Sequence, residues 1–125
     1  MAIVGIGTDL ARIERFRKFV VDESLLLERV FSEDERNYAL QKKDPAPHLA
    51  ARFAAKEAFL KALGTGLRDG LSWQQMVVVR DELGCPSLRL SGRASEMLAE
   101  RRVCSTHLSY SHDGDYAVAT VVLES

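Results

Sequence analysis

From residue 2 to residue 9 the chain is apolar and β-branched, interrupted by Gly5 and Gly7. That pattern predicts a buried first strand whose backbone another element approaches closely. The period then changes. Leu10, Ile13, Phe16 and Val20 recur at helical spacing while Arg12, Arg15 and Lys18 turn to the other side, which predicts a basic amphipathic helix. Ser32-Glu33-Asp34-Glu35 has the form of a capping box, with Ser32 at the N-cap and Glu35 reaching back, and starts a short helix to about Gln41. The segment Lys42-Lys43-Asp44-Pro45-Ala46-Pro47 breaks the pattern. Residues 48–63 are alanine-rich, the strongest helical stretch of the chain, and Gly64 closes it at C′.

Residues 76–80 read as a strand, Gly84-Cys85-Pro86 as a turn and 87–90 as the return. A helix opens at Ser91 or Gly92 and runs to about Arg102. The final strands, 106–112 and 116–123, flank Asp113-Gly114, a hairpin signal expected to form a type I′ turn. No repeat, low-complexity tract or linker divides the sequence. The expectation is one α+β domain over residues 1–125, a largely antiparallel sheet packed on the long central helix.

Composition narrows the function classes. At 125 residues, 46% hydrophobic and 28% charged, the chain has the make-up of an ordinary globular domain. A formal charge of −1 gives no global field toward nucleic acid or membrane, so neither is an expected partner and any basic patch is local. No apolar run is long enough to span a bilayer, and the N-terminus lacks the features of a signal peptide. Cys85 and Cys104 lack metal or redox spacing and read as free thiols in a reducing cytoplasm.

Some side chains carry chemistry. Gly5-Ile6-Gly7 begins like a dinucleotide fingerprint, but Leu10 stands where the third glycine would fall, so that reading is weak. Asp9 is an acid at the end of an apolar strand, by itself most simply an N-cap. Glu57 and Lys61 share a helix face, and alone they would read as a solvated i,i+4 pair. They sit among Phe53, Ala54, Ala58, Phe59 and Leu60, however, and lead into Gly64-Thr65-Gly66, whose amides can approach phosphate oxygens. One physical difficulty accompanies that loop: phosphate favours helix N-termini, whereas this one follows the negative C-terminal end. Asp9 and Glu57 together suffice for magnesium, which keeps several waters and takes substrate phosphates as further ligands. Arg52 alone reads as a surface charge and His112 as an exposed turn residue.

The order of these pieces resembles the holo-acyl-carrier-protein synthase family of phosphopantetheinyl transferases. Gly5-Ile6-Gly7-Thr8-Asp9 is similar to its N-terminal motif. Arg52-Phe53-Ala54-Ala55-Lys56-Glu57-Ala58, continued by Lys61-Ala62-Leu63-Gly64-Thr65-Gly66, is similar to its central signature. Leu108-Ser109-Tyr110-Ser111-His112 and Tyr116-Ala117-Val118-Ala119 resemble its last strand pair. The resemblance spans nearly the whole chain. It implies that Asp9 and Glu57 bind Mg2+ with a coenzyme A phosphate, and that Lys61, Gly64, Thr65 and Gly66 lie near the pyrophosphate. Arg52 and His112 would lie near the 3′-phosphate, with His112 donated by a neighbouring subunit of a homotrimer, and Pro86 would belong to the coenzyme A site. Arg12 and Arg15 would face the acyl carrier protein. Where the family often has Gly-Lys-Pro, this chain has Gly84-Cys85-Pro86, so any contact from that lysine is lost or made differently.

The implied reaction is attack of a carrier serine on the β-phosphate of coenzyme A, releasing 3′,5′-ADP, with Glu57 as candidate base and Lys61 stabilising phosphoryl charge. No Ser-His-Asp or Cys-His set competes. Two other readings stay open at this point: a magnesium-dependent hydrolase of nucleotides or coenzyme A, and a non-enzymatic binding module.

Overall fold

A computed structural model describes residues 1–125. Strand β1 (Ile3–Arg12) leads directly into helix α1 (Ile13–Val21), followed by α2 (Leu26–Val30), α3 (Glu33–Leu40) and the long α4 (Ala46–Leu63). A 3-10 turn at Trp73–Gln75 precedes the hairpin β2 (Met76–Arg80) and β3 (Pro86–Leu90). Helix α5 (Gly92–Glu100) and strands β4 (Ser105–Asp113) and β5 (Tyr116–Glu124) complete the chain. The main sheet has the order β1-β5-β4, antiparallel throughout, and β2-β3 forms a second antiparallel ladder. The fold is α+β, with the antiparallel sheet laid on α4, as the pattern predicts.

Helix α4 is buried on nearly all sides, with Leu49, Ala50, Ala54, Ala58 and Phe59 fully inaccessible. Its alanines let other backbones come close, and β1 comes closest. A Cβ on Gly7 would stand 1.9 Å from the Ala58 carbonyl oxygen, and one on Gly5 would stand 2.1 Å from that of Ala62. Both glycines exist for contact between strand and helix, not for nucleotide binding. The capping box forms as expected: the Ser32 hydroxyl accepts from Glu35 N–H at 3.1 Å and Glu35 Oε1 accepts from Ser32 N–H at 2.9 Å. Gly64 ends α4 at φ 77°, a left-handed conformation costly for other residues.

The structure departs from the sequence pattern in identifiable places. β1 continues to Arg12 because β5 offers partners that far, Leu10 against Val118 and Arg12 against Tyr116. Leu10 therefore points to the exposed sheet face, and the helix begins at Ile13. Helix α4 starts at Ala46, since Pro47 is tolerated in a first helical turn. The β4–β5 turn is Gly114-Asp115, one residue later than expected. Only Gly114 has positive φ, the pattern of type II′, not I′. No helix is long and apolar enough to cross a membrane.

Candidate active site

The β1–α4 crossing places one cluster. With Gly7 seated on Ala58, Asp9 arrives beside the turn of α4 that carries Glu57 and Lys61. Lys61 Nζ donates to Asp9 Oδ1 and to the Thr8 carbonyl, each at 3.0 Å. Asp9 is thus no helix cap, and Lys61 is not paired with Glu57: Arg12 holds the N-cap position of α1, and the lysine reaches across to the strand. The Glu57 carboxylate accepts no hydrogen bond from the chain and joins no ion pair. Burial raises its carboxyl above the usual range, Asp9 adds to the rise, and Lys61 and Arg15 oppose it. Two neighbouring carboxylates, one of them without a partner, form a donor set that suits a divalent cation better than a bare ion pair.

The Gly64–Gly66 loop adjoins this cluster. The N–H groups of Thr65 and Gly66 donate to no backbone carbonyl of the chain, while the Thr65 hydroxyl turns to the Gly66 carbonyl at 2.9 Å. The adverse end of the helix dipole is offset in a way the sequence does not announce. The Arg101 guanidinium, at the C-cap of α5, donates to the Leu63 carbonyl at the last residue of α4. A cation bound there works against the negative potential that would repel an anion from the loop.

The second cluster lies elsewhere on α4. Residues 52 and 57 are about 140° apart around an ideal helix, so Arg52 faces a different direction from Glu57. Arg52 is not the surface charge it resembles in sequence: it is only 3% exposed, and its Nε lacks any partner. Its Nη1 donates to the His48 carbonyl at 3.3 Å, and its guanidinium lies 4.3 Å from the Tyr38 ring centre. Beside it opens a cleft of about 310 Å³ lined by His48, Arg52, Arg80, Pro86, Tyr110 and His112. The His48 and His112 rings stand 6.3 Å apart. Burial holds His48 below the usual histidine value, and Arg52, Lys42, His112 and Arg80 push it the same way. Such a concentration of positive charge is an anion site in waiting.

His48, Tyr38 and Arg80 were not legible as site residues from sequence, since each belongs to a different element and only the fold gathers them. The structure also refines an expectation. Arg52, Pro86 and His112 share one cleft of one chain, so a site that takes His112 from a neighbour takes the other two with it. The basic surface forms around α1 as expected, with Arg12, Arg15 and Lys18 together. Arg12 sits at the end of β1, however, and its side chain donates to the Tyr116 hydroxyl at 3.1 Å. Arg15 packs over the rings of Phe16 and Phe53, at the rim of an apolar groove that includes Phe19, Leu27 and Trp73.

Lys56, next to Glu57 in sequence, does different work. It is wholly buried and donates to Glu35 Oε1 at 2.7 Å, to the Val30 carbonyl at 2.7 Å and to the Trp73 carbonyl at 3.2 Å. Glu35 Oε2 in turn accepts from Val78 N–H at 2.9 Å. Burial lowers the Lys56 pKa, and Glu35 pulls it back up. One capping residue thus ties α3, α4 and β2 together.

The 4′-phosphopantetheinyl transferase superfamily model matches residues 5–121, and the chain belongs to that family. Its relatives include the holo-[acyl-carrier-protein] synthase of Syntrophotalea carbinolica, 59% identical over 96% of this chain and 94% of the relative, and that of Trichlorobacter lovleyi, 53% identical over 98% of each. The crystal structure of holo-[acyl-carrier-protein] synthase from Neisseria meningitidis superposes with a TM-score of 0.87 at 36% identity, covering 99% of this chain and 100% of that one. The Bacillus anthracis enzyme in complex with CoA (3′,5′-ADP) superposes with a TM-score of 0.81 at 40% identity, covering 98% and 97%.

Proposed function

We infer that the chain transfers the 4′-phosphopantetheine group of coenzyme A to a serine of an apo-acyl carrier protein, giving holo-carrier protein and 3′,5′-ADP. The observation that carries this reading is the crossing of β1 over α4, which sets Asp9, Glu57 and Lys61 beside a loop with free amide donors. The whole of residues 1–125 acts as one transferase unit.

The carrier serine oxygen attacks the β-phosphorus of coenzyme A. The bond from that phosphorus to the oxygen bridging the two phosphates breaks, and 3′,5′-ADP leaves with its electron pair. Glu57, whose proton affinity is raised by burial, takes the serine proton directly or through a water. Lys61 and the Thr65 and Gly66 amides face the phosphoryl oxygens as charge builds on them. Asp9 and Glu57 fit Mg2+: one or two carboxylates with waters and substrate phosphates complete its coordination. When bound there, the ion would neutralise phosphoryl charge and align the reacting oxygens.

The anion cleft at Arg52 and His112 receives the 3′-phosphate, with Pro86 against the nucleotide. Because that cleft and the carboxylate cluster face different directions on α4, the reading pairs the metal half of one subunit with the anion half of its neighbour. A homotrimer suits the sheet's outer face, where Val4, Ile6, Leu10, Tyr116 and Val118 are exposed. An acidic carrier docks on Arg12 and Arg15, and the groove beside Arg15 takes an apolar side chain. The free thiols of Cys85 and Cys104 suit a reducing, cytoplasmic setting.

Mass spectrometry of apo-carrier protein after incubation with this protein, coenzyme A and Mg2+ tests the reading. It expects the carrier to gain the phosphopantetheine mass and little 3′,5′-ADP to form without carrier. Rapid release of 3′,5′-ADP in the absence of carrier would instead establish a hydrolase.

A further inference from the structure

Arg80 ends β2, directly across the ladder from Pro86. It is held from two sides: Nε donates to the Gly84 carbonyl at 3.1 Å, and Nη1 donates to the Tyr38 hydroxyl. Its guanidinium lies 5.3 Å from the Tyr38 ring centre, on a ring that Arg52 approaches to 4.3 Å and Lys42 to 4.6 Å. Neither Arg52 nor Arg80 forms an ion pair. The nearby Asp81 is engaged elsewhere, its Oδ1 accepting from the Leu83 and Cys85 N–H groups at 2.9 Å each. Arg80 and Arg52 also border a second opening of about 440 Å³, whose lining includes the carboxylates of Asp34, Asp81 and Glu82, none of them ion-paired with either arginine.

Three cations gathered on one aromatic ring repel one another, and an anion bound directly between them offsets that repulsion. The side of the group lined by His112 and Pro86 is open to receive one. A guanidinium fixed by a carbonyl and a hydroxyl keeps further N–H donors for a phosphate, and its fork geometry suits phosphate oxygens. Arg80 stands beside the Gly84-Cys85-Pro86 turn, where the family this chain resembles often carries a lysine and this chain carries a cysteine.

We propose that Arg80 is a phosphate-binding residue: with Arg52 and His112 it holds the 3′-phosphate of coenzyme A, supplying from β2 the charge missing at position 85. Tyr38 is its positioning residue, fixing the guanidinium at the cleft. The proposal rests on the functional reading above and assigns a residue that reading does not use.

Calorimetric titration of the full chain in its native assembly with 3′,5′-ADP and with 5′-AMP reads the 3′-phosphate separately from the nucleoside. Arg80→Gln should weaken 3′,5′-ADP binding by roughly ten- to a hundredfold, the range of a charged hydrogen bond, and change 5′-AMP binding less than about threefold. Arg80→Lys should keep most of the preference. Adding Cys85→Lys to Arg80→Gln should restore much of it, since the new ammonium reaches the same phosphate. Tyr38→Phe should weaken 3′,5′-ADP alone, by a smaller factor.

Unchanged 3′,5′-ADP binding in Arg80→Gln overturns the proposal. Equal loss for both nucleotides also overturns it, because the residue would then serve the nucleoside or the fold. A Cys85→Lys change that restores nothing overturns the substitution of one charge for the other. A wild-type protein that binds neither nucleotide defeats the functional reading itself, a result distinct from all of these.

Discussion

Lys56→Met tests the buried ion pair most directly. The substitution keeps the volume and apolar stem of the side chain but removes the donor shared by Glu35 Oε1, the Val30 carbonyl and the Trp73 carbonyl. Breaking a buried pair by removing one partner costs about 3–5 kcal/mol. The two carbonyls left without a donor place this case toward the upper end. A chain of 125 residues is expected to have a total stability of roughly 6–19 kcal/mol, so the variant folds but melts early. At about 3–5 °C per kcal/mol for this size, the midpoint should fall by roughly 10–20 °C. Glu35→Gln should cost a comparable amount, because it removes the charge that balances the ammonium, and in either orientation the amide NH2 faces a donor, Lys56 Nζ or Val78 N–H. The double variant Glu35→Met/Lys56→Met should lose about 2 kcal/mol or more less than the sum of the single variants Glu35→Met and Lys56→Met, the signature of a direct pair. Urea denaturation followed by circular dichroism measures all of these. Turnover assayed well below the midpoint should survive far better than in Glu57→Gln. A cost under about 1 kcal/mol for Lys56→Met, or strict additivity in the double variant, would refute the reasoning, since such values belong to exposed pairs.

Asp9→Asn and Glu57→Gln should each lower kcat/KM by about a hundredfold or more, because under the proposed function each would help hold Mg2+ against a substrate phosphate, a contact worth several kcal/mol. Both should fold, and Glu57→Gln should melt no lower than wild type, as burial and Asp9 both work against its charge; steady-state kinetics at varied Mg2+ and a thermal melt check the pair. Arg15→Glu should raise the KM for carrier and leave coenzyme A affinity unchanged, and added salt should raise that KM in the wild type, since screening acts on exposed charge contacts. Refolding Glu57→Gln together with His112→Ala should give more activity than the average of the two alone, because mixed assemblies rebuild one intact site; activity at the average would place both residues in one subunit's site. Arg101→Gln should weaken binding of coenzyme A with little change for the 3′-phosphate preference, and Arg101→Lys should recover part of the loss, as titration with coenzyme A, 3′,5′-ADP and 5′-AMP can show.

Local chemistry was readable in the sequence wherever it decided the outcome. The Ser32–Glu35 box, the Gly64 stop and the strand-return-strand pattern around Gly84 depend on neighbours along the chain, and all form. The end of β1 was not readable, because it is set by the length of β5, more than a hundred residues away, and helical spacing in Leu10, Ile13 and Phe16 imitated an earlier start. Short α2 has too few residues to show a period. Arg52 looked like a surface charge because charge usually means exposure. A signal was present nonetheless: residues 46–63 have no continuous polar face, and a helix apolar on all sides is central. Glu57 and Lys61 could be placed on one helix face by spacing and Asp9 matched to Glu57 by donor chemistry, but the reach of Lys61 to Asp9 instead of Glu57 depends on the crossing of β1 and α4. The grouping of Tyr38 with Arg80 was not visible at all, since an α3 residue and a β2 residue meet only in the fold.

The seating of Gly5 and Gly7 on the carbonyl oxygens of α4 separates the metric of the Asp9–Glu57 cluster from the rest of the interior. Asp9 reaches Glu57 through main chain touching main chain, with no intervening side chain to swell, shrink or change rotamer. Much of the surrounding hydrophobic interior can therefore drift in sequence without moving the two carboxylates relative to each other. A protein engineer can recolour the basic surface around α1 or repack the core beneath α2 while the spacing of the two carboxylates stays constant. The same arrangement leaves no half measures at the crossing itself: a single added methyl at Gly7 would wedge the strand off the helix, and the whole centre would go with it.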